Sequence, residues 1–392
     1  MTQIIKAKRS PLQLADILRN HIDDYKKAYP LWPEHKKIVS DLLNCRTAHL
    51  GGRIHRCDHC GTMRITYYSC RNRHCPTCQH MPRERWLEKR KDEILPLNYF
   101  HVVFTLPHEL NTIILNNNKV MLNCLFAAAS KTVLTFGENQ LHGTPGFLSI
   151  LHTWDQKLKA HFHLHCLVAG GVVSADKKRF TPITGNYLFN QQALSLVFRA
   201  KFIQRMTLDR KKGRIKLATD AFKRLKNTLF EKTWVVSVRD PVKRPERVLE
   251  YLARYTHRVA IANSRIKALK DAMVTFTAKN RKKNRTESVT ITAVEFIRRF
   301  LLHSLPNRFV RIRHYGFLAN RNRTKNLETI RRLMGLVAPP PMQPLALEKM
   351  LQQIAGIDIT TCPCCHTGKM QFYAEITPYR ARAPDPRRYQ IA

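Results

Sequence analysis

Acidic residues are scarce in this chain: 28 Asp and Glu stand against 68 Lys and Arg in 392 residues, a formal charge of 68 − 28 = +40. A field of that size repels itself in any compact state and exceeds what a small acidic metabolite needs; it suits a polyanionic partner. Long apolar runs are missing as well. No stretch approaches the ~18 consecutive apolar residues of a membrane span, and the opening MTQIIKAKRS has neither the apolar core nor the cleavage site of a secretory signal. These absences predict a soluble, intracellular protein. The positive charge is spread along the chain rather than gathered in one amphipathic helix, which favours nucleic acid over a membrane surface as partner. Glycine is sparse too, at 14 residues, and with 44% hydrophobic residues the composition is that of a folded protein long enough for two or three domains. No internal repeat is visible.

What is present is unevenly placed. Eleven cysteines, an odd number and strongly clustered, point to metal rather than disulfides in a chain without an export signal. Residues 51–80 hold five cysteines and four histidines with few aliphatic side chains, so the segment must be cross-linked by something other than a hydrophobic core. Cys57-x2-Cys60 and Cys75-x2-Cys78, fourteen residues apart, read as two knuckles closing a tetrahedron around a structural zinc. Cys70, His55, His59 and His74 are further potential donors. Near the C-terminus, Cys362-x2-Cys365 is half of such a site: either Cys364 and His366 crowd onto the same ion, or the other half comes from elsewhere. Isolated Cys124 and Cys166 read as packed apolar residues.

Elsewhere the pattern mixes helices and strands. Residues 11–50 read as helical, with Leu14, Ile17, Leu18 and Ile22 on one stripe. Tyr99–Leu106 reads as a buried strand, 108–142 as helical, Phe162–Ala169 as a second strand ended by Gly170-Gly171, and 191–230 as helical with a basic run. Thr233–Arg239 is a third strand closed by Asp240-Pro241, followed by a helix over 247–261. A hairpin over 274–292 carries a basic loop at 279–285, 295–336 reads as helical and basic, and a Pro-rich linker at 339–344 leads to the cysteine-bearing tail.

Two further constellations carry chemistry. In His161-Phe162-His163-Leu164-His165 the three imidazoles share one strand face. Neighbours two apart, at about 6.6 Å along the strand, can hold one divalent ion; residues four apart, at about 13 Å, cannot. In Tyr251-Leu-Ala-Arg-Tyr255 the two tyrosines fall one helical turn apart, beside Arg247, Arg254, His257 and Arg258.

A His-hydrophobic-His strand and a Tyr-x3-Tyr helix in so basic a chain resemble the HUH endonucleases. More closely, the chain resembles the two-tyrosine transposases of the insertion sequence 91 family, on CRTAHLGG, SCRNRHCPTCQ, YFHVVFTLPHELN, HFHLHCLVAGG, YLARYTHRVAIANSRI, EFIRRFLLHSLP and RIRHYGFLANRNR. The resemblance implies an α+β fold, with an HUH-type antiparallel sheet flanked by helices, an N-terminal helical and zinc-ribbon module and a small C-terminal cysteine-containing tail. It divides the chain into a helical segment at 1–50, a zinc-binding domain at 51–95, a nuclease core at 96–270, a basic hairpin and helical DNA-binding region at 271–338, and the linker and knuckle at 339–392. It makes His163 and His165 the catalytic metal pair and Tyr251 and Tyr255 the nucleophiles. The third ligand is not fixed by motif: Gln156 is the first choice, with Asp155 or His161 behind it. A mixed nitrogen and oxygen site suits magnesium or manganese in use. Attack on single-stranded DNA would leave a 5′-phosphotyrosine and a free 3′-hydroxyl, with two tyrosines holding two strand ends in succession. Arg254, Arg258, Lys282, Lys283, Arg285, Arg311 and Arg313 are the expected DNA-binding cations, and Tyr187, Phe189, Phe309, Tyr315 and Phe317 possible stacking platforms. A cytoplasmic, nucleoid-associated location follows. A rolling-circle replication initiator or relaxase would use the same residues; a zinc-finger DNA-binding protein would leave the histidine strand and tyrosine pair unexplained.

Overall fold

The computed structural model describes residues 4–6, 12–253, 255–256, 258–280, 283–337, 345–356 and 358–379. After a short strand β1 (Ile4–Lys6), helix α1 (Leu14–Ala28) buries Leu14, Ile17, Leu18, Ile22 and Tyr25 on one stripe, and its main chain turns extended at Tyr29, just before Pro30. Helix α2 (Pro33–Leu43) starts on a proline, whose missing N–H is an orphan donor at a first turn anyway. Strands β2 (Gly52–Cys57) and β3 (Met63–Tyr67) form an antiparallel hairpin around the Cys57–Cys60 knuckle, with β1 parallel to β3 on its edge. The charged helix α3 (His80–Lys91) leads into the central sheet.

That sheet is built from β4 (Tyr99–Thr105), then, after helices α4 (Asn111–Asn116) and α5 (Asn118–Leu141), from β5 (Thr144–Trp154), β6 (Ala160–Val173) and the short β7 (Phe180–Pro182), and, after α6 (Gln191–Lys211) and α7 (Thr219–Glu231), from β8 (Val235–Val242), which α8 (Pro245–Ala253) follows. Next come β9 (Ile266–Lys270), β10 (Met273–Asn280) and β11 (Arg285–Thr292), an antiparallel three-stranded sheet, and helix α9 (Ala293–Leu301). Strand β12 (Ile312–Gly316) returns to the central sheet, whose order is β12-β5-β6-β4-β8, antiparallel throughout, with β7 beside β6. Helices α10 (Arg323–Leu333) and α11 (Leu347–Ala355) precede β13 (Met370–Ile376), which pairs antiparallel with β2.

Three cores follow from side-chain alternation along the strands. Phe100, Val102, Phe104, Phe147, Leu151, Phe162, Leu164 and Val168 face α5 and α6; Tyr99, Leu148, Ile150, Leu167 and Ala169 face the opposite way, toward α8 and α10. Helices α1, α2 and α9 share a third core with β9 and β10. Helix α5 is long and apolar enough to cross a membrane, but most of it is buried against α6 and the sheet, as in the core helix of a globular protein. The fold class is thus α+β, an antiparallel sheet flanked by helices.

Several local expectations change. Gly170-Gly171 does not end its strand, which runs on to Val173. Those glycines are there because a Cβ at 170 would sit 2.6 Å from the Asn98 carbonyl and one at 171 would sit 2.3 Å from the Phe180 ring. Asp240-Pro241 lies within β8, tolerated because β8 is an edge strand. The helix over 247–261 stops at Ala253, and the basic stretch 295–336 is interrupted by β12. The Pro-rich segment 338–344 lies outside the described residues.

Candidate active site and metal centres

The face of the central sheet that is apolar at one end turns to histidine at the other. Strand register places Thr105 opposite His163, Val103 opposite His165, Ile150 opposite His165 and His152 opposite His163. Continuing the series Leu148, Ile150 along β5 therefore brings His152 onto the face of His163 and His165, and His101 follows Tyr99 there on β4. One ring nitrogen from each of His152, His163 and His165 lies within 4.8 Å of the others.

Hydrogen bonds decide which nitrogens are available. His163 Nδ1 donates to the His161 carbonyl at 2.9 Å and His152 Nε2 donates to the Tyr255 carbonyl at 3.0 Å. That leaves a lone pair on His163 Nε2 and on His152 Nδ1. His165 points Nε2 at His163 Nε2, 3.1 Å away, and sets Nδ1 against His101 Nε2 at 2.9 Å, as a second imidazole orients a metal ligand. Burial, followed by the His163 charge, drives the His152 basicity well below the ordinary value. Burial and then His152 do the same to His165, and burial pushes His101 down to about 3. These rings are held neutral, the form that binds a cation, so the donor set fits a divalent ion.

Beside them stand the tyrosines. The Tyr255 ring centroid lies 4.2 Å from that of His165 and 5.0 Å from that of Tyr251, which in turn stands 5.0 Å from His101. Tyr251 belongs to the last turn of α8 and Tyr255 to the turn after it, where Tyr255 N–H donates to the Leu252 carbonyl. A cavity of about 490 Å³ opens over the site, lined by the three histidines, Tyr255, and the cations Lys157, Arg239, Arg258 and Lys279. Tyr251 sits behind Tyr255, half-buried.

Of the expected third ligands, Gln156 lines the cavity, and its main-chain carbonyl accepts from the Arg265 guanidinium. Asp155 accepts from the Lys157 and Lys159 amides at 2.8 Å each, holding a turn, and His161 is exposed on the cavity rim. The converging third donor is His152. Neither motif includes it, because β5 is buried on both faces and its run GFLSILHTW carries no alternation to mark a strand.

The other expected residues scatter. Arg258, Lys283 and Arg285 are exposed, the last paired with Glu287 at 3.1 Å; Arg254 and Lys282 lie outside the described residues. Arg311 is half-buried and donates to the Arg258 carbonyl at 2.7 Å, while Arg313 stacks 4.0 Å over the Phe126 ring and bonds Asn123. Of the aromatics, Tyr187 is exposed, whereas Phe189, Phe309 and Phe317 are core residues.

The cysteines regroup. Cys75 and Cys78 do not meet Cys57 and Cys60; they meet Cys70 and Cys45, with sulfur separations of 3.3 Å for Cys45–Cys78, 3.6 Å for Cys70–Cys78 and 3.7 Å for Cys45–Cys75. A tetrahedron with ~2.3 Å metal–sulfur bonds has edges of about 3.8 Å, so this set fits zinc. The hairpin sends the two sequence-adjacent knuckles in different directions. Cys57 and Cys60 lie instead against Cys365 and Cys362. Cys124 and Cys166 are fully buried, as expected.

Comparison with known proteins bears on this arrangement. A family model for a transposase zinc-binding domain of the insertion sequence 91 type matches residues 17–106, and one described as "Putative transposase" matches residues 146–326. The chain is 38% identical over 377 residues to "Putative transposase y4qJ" of Sinorhizobium fredii (strain NBRC 101917 / NGR234), covering 92% of this chain and 95% of that protein. It is 23% identical over 345 residues to "Transposase for insertion sequence element IS801" of Pseudomonas savastanoi pv. phaseolicola, covering 84% and 81%. No solved structure matches.

Proposed function

The chain belongs to the insertion sequence 91 family of transposases, and on that premise we propose that it nicks and rejoins single-stranded DNA through 5′-phosphotyrosine linkages. The observation that carries this reading is the Tyr255 ring at 4.2 Å from His165, on the wall of a cavity that also holds two further converging imidazoles and four cations.

A phenol with a pKa of about 10 is a weak nucleophile, so the phosphate must be held and its charge offset before attack. Lys157, Arg239, Arg258 and Lys279 provide that field along the cavity wall. A divalent ion held by His152, His163 and His165 would supply Lewis-acid polarisation of a phosphate oxygen. Three imidazoles, instead of the two and an oxygen expected from sequence, shift the preference toward manganese over magnesium, which favours oxygen donors.

In the reaction the Tyr255 oxygen bonds to phosphorus, its proton passes to water, and the bond from phosphorus to the 3′-oxygen breaks. The 3′-oxygen takes up a proton and leaves as a free hydroxyl on the upstream strand, while the 5′-phosphate of the downstream strand stays on the protein. Reversal on another strand needs no nucleotide cofactor, since one phosphodiester replaces another. Tyr251, one ring behind, would take a second strand end, and this two-ended exchange is what rolling-circle transposition requires. Acting on chromosomal DNA, the protein would reside in the cytoplasm with the nucleoid.

The test uses single strands from the ends of the cognate element, labelled on the 5′ side of the expected nick and, separately, on the 3′ side. With manganese present, denaturing gels should show the downstream label moving with protein and the upstream label free. Attachment persisting in a Tyr251→Phe, Tyr255→Phe double variant would overturn the assignment.

A further inference from the structure

We infer that Cys57, Cys60, Cys362 and Cys365 hold a second structural zinc, which clasps the C-terminal segment onto the N-terminal zinc-binding module. The family match to the zinc-binding domain stops at residue 106 and so leaves half of this set unassigned. The site owes nothing to the histidine cavity and fails or survives apart from it.

The geometry is that of two knuckles meeting. Cys57 and Cys365 sulfurs are 3.7 Å apart, as are Cys60 and Cys362, although the latter pair is separated by 302 positions in the chain. These distances are far beyond the ~2.05 Å of a disulfide and match the edge of a thiolate tetrahedron around zinc, about 3.8 Å. Both knuckles aim main-chain N–H groups at their sulfurs. His59 and Cys60 donate to Cys57, Cys364 to Cys362, and Gly368 to Cys365, at 3.3–3.4 Å. Donors of that kind stabilise thiolates, the form that binds metal.

The surrounding chain is cut to fit. Strand β13 pairs with β2 from Met370 opposite Cys57 to Ile376 opposite Gly52. The Asp58 amide donates to the Lys369 carbonyl at 3.1 Å, and the Asp58 carboxylate accepts from the Lys369 amide at 2.8 Å. At Gly368 any Cβ would sit 2.4 Å from the Cys57 sulfur, and at Gly51, with φ of +76°, one would sit 2.5 Å from the Ile376 carbonyl. Glycine at both ends of the junction lets the two segments approach as closely as one ion demands. The consequence is a composite module: the zinc-binding region near the N-terminus is complete only when the C-terminal segment has closed on it.

The test counts tightly held zinc by native mass spectrometry in a His163→Ala background, so that imidazole-held ions stay out of the count. The parent should carry two ions per chain, Cys362→Ser and Cys365→Ser one, and Cys364→Ser, a change beside the cluster, two. Where a serine variant precipitates, a protease site inserted within 338–344 of the otherwise unaltered chain replaces it: after cutting, the fragments should co-elute and separate on strong chelation. One zinc in the parent, two retained in Cys362→Ser, or fragments indifferent to chelation would overturn the clasp.

Discussion

His152→Ala removes one of three imidazoles that converge on the proposed catalytic ion, and its effect can be bounded. Loss of a residue that merely orients a metal ligand typically weakens metal affinity about 10–100-fold. Losing a ligand itself should therefore raise the manganese concentration for half-maximal cleavage at least about 100-fold, or ~2.8 kcal/mol at ~1.4 kcal/mol per tenfold. The same ring donates to the Tyr255 carbonyl, so the variant also leaves that acceptor short of a partner, about 1–3 kcal/mol, against a typical domain stability of about 5–15 kcal/mol. The protein should stay folded. DNA affinity should hardly change, since the charge that drives binding lies elsewhere. The assay is covalent adduct yield on a single-stranded element end against manganese concentration, with fluorescence anisotropy for DNA binding in parallel. An unchanged half-saturation point would refute His152 as a ligand and return the third position to Gln156.

Further expectations can be checked in the same preparations. Tyr255→Phe should abolish first-strand attachment, whereas Tyr251→Phe should keep it and lose the second joining step; equal loss in both variants would show that the two rings do not act in sequence. Replacing Lys279, Lys283 and Arg285 with Gln should weaken binding to all single strands alike and flatten the slope of log affinity against log salt by up to about 2, at ~0.7 per phosphate contact; an unchanged slope would mean a solvated hairpin tip. Burial holds His74 neutral down to about 3 and His303 down to about 4, from an ordinary 6.5. The unfolded chain therefore takes up protons below about 6.5 while the folded one does not, so stability present above that pH should be lost as pH falls toward 4, by up to about 1.4 kcal/mol per unit for each histidine. Urea midpoints at pH 7 and pH 5 measure this, and equal midpoints would contradict it.

Much of the site was legible because strand alternation is a local rule: His163 and His165 had to share a face wherever the strand lay. The partner strand was not, because β5 is buried on both faces, and GFLSILHTW lacks the alternation that separates strand from helix in sequence. Strand β12 was hidden for a different reason. Arg311 and Arg313 look like DNA contacts in a basic run, yet one donates to a main-chain carbonyl and the other stacks on Phe126, roles that only the tertiary packing assigns. The tyrosine pair was readable as a spacing, but not as a helix end with a turn beyond it. The cysteine pairing failed most clearly, since spacing within a knuckle is local while the choice of partner knuckle spans 302 positions.

The most direct measurement is the identity of the residue joined to DNA. Full-length protein reacted with a single-stranded element end and manganese, digested with protease and nuclease, should yield by mass spectrometry a peptide carrying a 5′-nucleotide on Tyr255 after the first cleavage. A phosphodiester on a serine or on a tyrosine outside the 251–255 pair, or cleavage with no protein-linked nucleotide, would contradict the mechanism.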